Sequence, residues 1–206
     1  MAIKNIVFDL GGVVLDIDFN LTVEGFRKMG HPQFDQVFSK AIQNPEIQLF
    51  EKGLIPESDF RNFIRKELES DISDAEIDQA WNALLLHFDA ERIAYIKALQ
   101  NDYNIYLLSN TNSIHQKQFY QNFQNLFNHH MDDLFIQAFY SHEMNQRKPD
   151  IEIYETVLQT ANLNPEETLF LDDSPQNLPP ANQVGIQTIH ITKENPITVA
   201  LPSILT

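Results

Sequence analysis

Four short segments of this chain combine carboxylates, hydroxyls, amides and one lysine in a pattern suited to moving an anionic group. The first is Ile6-Val7-Phe8-Asp9-Leu10-Gly11-Gly12, in which an apolar run ends on Asp9 and a glycine pair follows. A carboxylate placed there is presented where a strand stops, and a Gly-Gly turn leaves backbone amides free to meet a ligand. In Leu107-Leu108-Ser109-Asn110-Thr111-Asn112 a second apolar run opens into a hydroxyl and an amide. That is a neutral cradle for an anion, or a cap for the next helix, or both. Arg147-Lys148-Pro149-Asp150 sets cations ahead of a helix start. The helix dipole disfavours cations there by about a few tenths of a kcal/mol or more, so a lysine held at that end points to a phosphate or carboxylate partner. The fourth segment, Leu169-Phe170-Leu171-Asp172-Asp173-Ser174-Pro175-Gln176-Asn177, ends a strand on two adjacent carboxylates. Their mutual repulsion makes joint ionisation costly. A divalent cation removes that penalty, and Mg²⁺ prefers hard oxygen ligands.

The elements that would position these residues follow from the apolar pattern. Five runs read as strands, namely 3–8, 105–108, 135–139, 168–171 and 188–191, and the first, second and fourth are continuous, as expected of strands buried on both faces. Helical spacing lies between the later ones, in Ile93, Ile96 and Leu99 and in Ile153, Tyr154, Val157 and Leu158. The alternation predicts an α/β fold, a Rossmann-like parallel sheet with helices on both faces. In such a sheet the four chemical segments all meet at the C-terminal edge of the strands.

Residues from about 19 to 88 break that rhythm. Phe60, Phe63, Ile64 and Leu68 mark one amphipathic helix; Ser73 with Glu76 forms a capping box, and Ile77, Trp81, Leu84 and Phe88 extend one face. This reads as an all-helical cap inserted after the first strand, giving a core of residues 1–16 and 89–206 and a cap of 17–88. The helices either form a lid over the strand ends or complete the core. The tail, with Pro196 and Pro202, reads as irregular.

Bulk properties narrow the partners. The chain has 206 residues, is 43% hydrophobic and carries a formal charge of -15, so it can bury a sizeable core and offers no basic patch to nucleic acid. Without cysteine it has neither disulfides nor thiolate metal sites. The start MAIKNIVFDLGG reads as strand and turn, and no apolar stretch approaches a membrane span, so a cytoplasmic location is the expectation.

The four segments, in order, resemble the motifs of the haloacid-dehalogenase-like hydrolases, with Asp9 to Val13, Ser109, Lys148 and Asp172-Asp173 as the matching positions. The wording FDLGGVVLDIDFN, LLSNTN, RKP and LDDSPQN further resembles the bacterial alpha-D-glucose-1-phosphate phosphatases of that superfamily. The resemblance implies a phosphoaspartyl intermediate on Asp9, phosphate held by Ser109 and Asn110, and Lys148 steadying nucleophile and phosphate. It implies Mg²⁺ on Asp9, Asp172 and Asp173 with the backbone oxygen of Gly11, and a small phosphorylated metabolite as substrate. One position departs from the family. Its phosphatases carry a general acid/base aspartate two residues after the nucleophile, where this chain has Gly11. General acid help is worth about 10²–10⁴-fold. Its loss favours a good leaving group, such as the anomeric oxygen of a sugar 1-phosphate, unless Asp16 or Asp18 lends the proton.

Two other readings compete. A metal-free 2-haloacid dehalogenase also lacks the second aspartate, but gains nothing from clustered negative charge at Asp172-Asp173. A catalytically silent phosphate-metabolite binding protein is the alternative from another class; retention of Asp9, Lys148 and both later acids weighs against it.

Overall fold

The computed structural model describes residues 2–32, 34 and 45–205. The apolar run after Ile3 forms β1 (Asn5–Phe8), every residue of it buried, and this strand is the centre of the molecule. Parallel neighbours flank it: β4 (Asn104–Ser109) and β5 (Gln137–Tyr140) on one side, β6 (Thr168–Asp172) and β7 (Gln187–His190) on the other, in the order β5-β4-β1-β6-β7. Side chains alternate across the pleat. Ile6, Phe8, Ile105 and Leu107 enter one core with α5 (Ala90–Leu99) and α6 (Ser113–Phe127). Val7, Tyr106, Leu108 and Phe170 enter a second core on the opposite face, with α8 (Ile151–Thr160) and α9 (Leu178–Gln183). Each fully buried side chain of this size contributes roughly 1.5–3 kcal/mol. Burial on both faces explains why these strands show no alternation in sequence.

A third core belongs to the inserted helices. Among the described residues these are α1 (Phe19–Lys28), α2 (Pro45–Glu51), α3 (Glu57–Leu68) and α4 (Asp74–Asn82). Phe26, Phe34, Phe50, Phe60, Ile64 and Trp81 pack together, with Phe50 and Phe60 stacked at 4.3 Å between ring centroids. The Ser73–Glu76 capping box forms as the sequence suggests and starts α4.

Two expectations are corrected. The apolar helical face drawn through Phe88 stops at Asn82, and β3 (Leu85–Phe88) pairs antiparallel with β2 (Leu15–Ile17). This ribbon joins the chain where it leaves the sheet to the chain where it returns. The run Leu84-Leu85-Leu86 has no polar face to sustain a surface helix, and the strand partner at Leu15–Ile17 is distant in sequence, so spacing alone misread it. The tail is also ordered: Pro196 precedes α10 (Ile197–Ala200) and a 3-10 turn, and Ile197, Ala200 and Leu201 bury in the main core. The short helix α7 (Ser141–Met144) directly follows β5.

Candidate active site

Parallel pairing brings the chemical segments together. Phe8 lies opposite Leu107 of β4 and Leu171 of β6, and the Asp9 N–H donates to the Leu171 carbonyl at 2.8 Å. Asp9 is thus fixed by one further rung of the ladder, beside the ends of both neighbouring strands. The backbone then turns through Gly12 at a φ of 75°, where a side chain would be strained and its Cβ would stand 2.2 Å from Asp173 Oδ2.

Lys148, only 1% exposed, reaches into this corner. Its Nζ donates to Asp9 Oδ1 at 2.7 Å, Asp172 Oδ2 at 2.6 Å and the Leu108 carbonyl at 3.0 Å. Burial alone would push the lysine down, but Asp172 and Asp9 outweigh it and hold its ammonium above the ordinary range. Burial also pushes the Asp9 carboxyl up to about 7, against the pull of Lys148 and with repulsion from Asp172 and Asp173. Asp173 is raised in the same way, by burial and then by Asp172. Oxygens of Asp9, Asp172 and Asp173 all lie within 4.8 Å of one another. Clustered, partly desolvated carboxylates that repel one another fit a hard divalent cation.

Ser109 ends β4 with 2% exposure, at the wall of a cavity of about 510 Å³ that also contains Asp9, Gly11, Asn110, Lys148 and Asp173. The side chain of Asn110 is engaged elsewhere: Oδ1 accepts from the Lys148 N–H at 2.9 Å and Nδ2 donates to the Lys148 carbonyl at 2.8 Å. This clasp uses the amide oxygen and one of the two Nδ2 hydrogens. Asp16 and Asp18 are committed away from the cavity. Asp16 pairs with Arg92 at 2.7 Å and with His87 at 3.2 Å, while Asp18 caps α1 by accepting from the Asn20 N–H at 2.9 Å. The lining passes from Leu15 to Ile17 to Phe19 and skips both acids. A Cβ on Gly11 would meet Ile17 Cδ1 at 3.0 Å, so an apolar side chain stands against the position where the family's acid would begin.

Three residues of the site had little or no voice in the sequence. Asn177 is buried and donates from Nδ2 to both Asp172 oxygens at 3.0 and 2.9 Å, while its carbonyl accepts from the Tyr154 hydroxyl. Its place five residues after Asp172, in a turn opened by Pro175, was the available signal. Glu51, at the end of α2, faces the cavity opposite Arg147, which reaches Glu51 Oε2 from Nε at 3.0 Å and from Nη2 at 2.9 Å. His115 is buried and stacks on Trp81, with centroids 5.2 Å apart. Trp81 therefore packs in the inserted helices' core and lines the cavity as well.

Comparison with known proteins agrees with this geometry. A family model described as haloacid dehalogenase-like hydrolase matches residues 3–185. The D-ribitol-5-phosphate phosphatase of Bacteroides thetaiotaomicron is 32% identical over 191 residues, covering 90% of each chain. A HAD family enzyme from the same organism, crystallised with magnesium and inorganic phosphate, superimposes with a TM-score of 0.87 at 35% identity, over 93% of this chain and 95% of that one. A HAD-like family hydrolase from Porphyromonas gingivalis gives a TM-score of 0.87 at 27% identity, over 100% and 98%. The first of these relatives is a sugar-alcohol phosphatase by name, and the likeness to glucose-1-phosphate phosphatases rests on motif wording alone. With the match running from β1 almost to β7 and the fold reproduced end to end, this chain belongs to the haloacid dehalogenase-like hydrolases.

Proposed function

We propose that this hydrolase is a Mg²⁺-dependent phosphatase of small sugar or sugar-alcohol monophosphates, acting through a phosphoaspartyl intermediate on Asp9. The observation that carries the reading is the acid trio Asp9, Asp172 and Asp173 with Lys148 lodged between the first two. A dehalogenase working without metal would gain nothing from that concentration of charge. The relatives support the class: one acts on D-ribitol 5-phosphate and another was crystallised with magnesium and phosphate.

Asp9, Asp172 and Asp173, with the Gly11 carbonyl, would hold the ion, which offsets negative charge and polarises the phosphoryl group. The protein's own groups do the rest. Lys148 aims Asp9 Oδ1 and keeps its carboxylate anionic enough to attack. Asp9 forms a bond to phosphorus as the bond to the sugar oxygen breaks, the departing oxygen taking its proton from water. A water molecule then attacks phosphorus, losing its proton to solvent, and phosphate leaves as Asp9 is freed. Ser109 and the Asn110 N–H cradle the phosphoryl oxygens. Asn177 and the Ser174 N–H hold Asp172 in place. Residues 17–88 serve as a cap over the strand ends, closing the cavity from above.

Because Gly11 supplies no proton to the leaving oxygen, a sugar 1-phosphate is the favoured substrate within this class. The ribitol phosphatase relative makes a primary 5-phosphate the natural competitor. Both belong in one assay, beside an aryl phosphate, with Mg²⁺ and then with chelator. The expected result is metal-dependent release of phosphate. Halide release from 2-haloacids that ignores the chelator would overturn the reading.

A further inference from the structure

Beyond the acid trio, the cavity has a second polar feature, built across two parts of the chain. Glu51 comes from the inserted helices and Arg147 immediately precedes Lys148. The segment holding Glu51 is fixed to the sheet side. Ser141 Oγ donates to the Glu51 carbonyl at 2.7 Å, Asn145 Nδ2 to the Lys52 carbonyl at 2.8 Å, and Lys52 pairs with Asp150 at 2.8 Å. Gly53 lies so close that a Cβ there would sit 2.0 Å from the His142 carbonyl oxygen. The carboxylate therefore keeps a set position relative to Lys148 and the reacting corner.

Its chemistry is specific. Burial pushes the Glu51 carboxyl up, although Arg147 draws it down. The guanidinium contacts all fall on Oε2, so Oε1 is the oxygen left for a ligand. Arg147 is neutralised by the same pairing and is a weak attractor for a second anion. A carboxylate in this state accepts O–H donors and repels carboxylates and phosphates. Ile17, Phe19, Ile47 and Leu85 add apolar surface to the same space.

We propose that the Glu51–Arg147 pair is the specificity element of this site, accepting hydroxyl protons from the neutral polyol portion of the substrate while the phosphate sits at Asp9. The proposal rests on the phosphatase reading above and narrows it: hydroxyl-rich monophosphates are preferred over bisphosphates and over phosphorylated carboxylic acids.

The test compares Glu51→Gln with the unaltered protein, both with Mg²⁺, on a sugar or sugar-alcohol monophosphate and on an aryl phosphate. Amide for carboxylate preserves shape, and a melting curve of each protein checks the fold. The expected result is a fall of at least about tenfold in the ratio of kcat/KM for the polyol phosphate to that for the aryl phosphate, carried mainly by KM, the loss expected for a hydrogen bond to a charged group. Relaxed rejection of phosphoglycolate by the same variant is expected as well. A ratio within twofold of the unaltered protein's overturns the proposal, and so does equal loss on both substrates. An unaltered protein that turns over no aryl phosphate with Mg²⁺ would instead refute the phosphatase reading, so the two failures are distinct.

Discussion

Asn110 clasps the backbone of Lys148 from both sides, accepting from its N–H and donating to its carbonyl. Asn110 directly follows β4 and Lys148 lies in the loop between α7 and α8, so the clasp sets where the lysine enters the buried corner. Asn110→Ala removes both bonds. Two hydrogen bonds contribute roughly 1–3 kcal/mol together, and that loss should appear in urea denaturation. Misplacing Lys148 relative to Asp9 should lower kcat by about 10²-fold, with KM changed less. Unaltered stability and kcat together would refute this role.

Asp9→Asn keeps the shape of the side chain and removes the proposed nucleophile. Turnover of any phosphate ester should drop about 10⁴-fold or more, measured as phosphate release with Mg²⁺. Full activity in this variant would remove the basis of the phosphoaspartyl mechanism.

The glycine pair should respond asymmetrically. At Gly12, alanine meets both the positive φ and Asp173 Oδ2. Gly12→Ala should weaken Mg²⁺ binding about tenfold or more by displacing Asp173, read by titration calorimetry. At Gly11 the obstacle is only the end of Ile17, which can move. Gly11→Asp should therefore be accommodated and should speed hydrolysis of poor-leaving-group phosphates, with a ceiling of about 10²–10⁴-fold. No gain on an alkyl phosphate would end the missing-acid argument.

His115 predicts a pH dependence of stability. Its Nε2 donates to the Trp81 carbonyl at 3.1 Å and its Nδ1 accepts from Asn112 at 3.0 Å, the arrangement of a neutral ring. Burial lowers its pKa from 6.5 to about 4, only partly opposed by the Trp81 carbonyl. The unfolded chain therefore takes up this proton first as pH falls. The stabilisation is complete above pH 6.5 and is lost progressively as pH drops toward 4. By linkage the loss approaches ~3 kcal/mol. In denaturation curves at pH 7 and pH 4, His115→Gln should show a difference smaller by about that amount. Identical differences in the two proteins would contradict it.

The residues that reveal this protein in sequence are those whose chemistry sits badly with ordinary strand ends. Asp172 beside Asp173 and Lys148 at a helix start each carry a local electrostatic cost that invites a functional explanation, and Asp9 stands at a strand end before a glycine pair. The parallel core was equally readable, because strands covered on both faces leave continuous apolar runs. What escaped has a common cause. The β2–β3 ribbon pairs Leu15 with Phe88, and nothing near either residue announces the other. Glu51 resembles any surface glutamate until the fold sets it opposite Arg147. At Asn110 the residue type suggests a phosphate ligand, and the fold adds that its amide also clasps the Lys148 backbone.

The seclusion of Lys148 has a practical consequence. Its ammonium lies 5.2 Å from the centre of the Phe170 ring, tied to two carboxylates and cut off from solvent. Amine-directed reagents need a deprotonated, reachable nitrogen, and this one is neither. Acylating the surface lysines of the folded protein is therefore expected to leave this amine untouched.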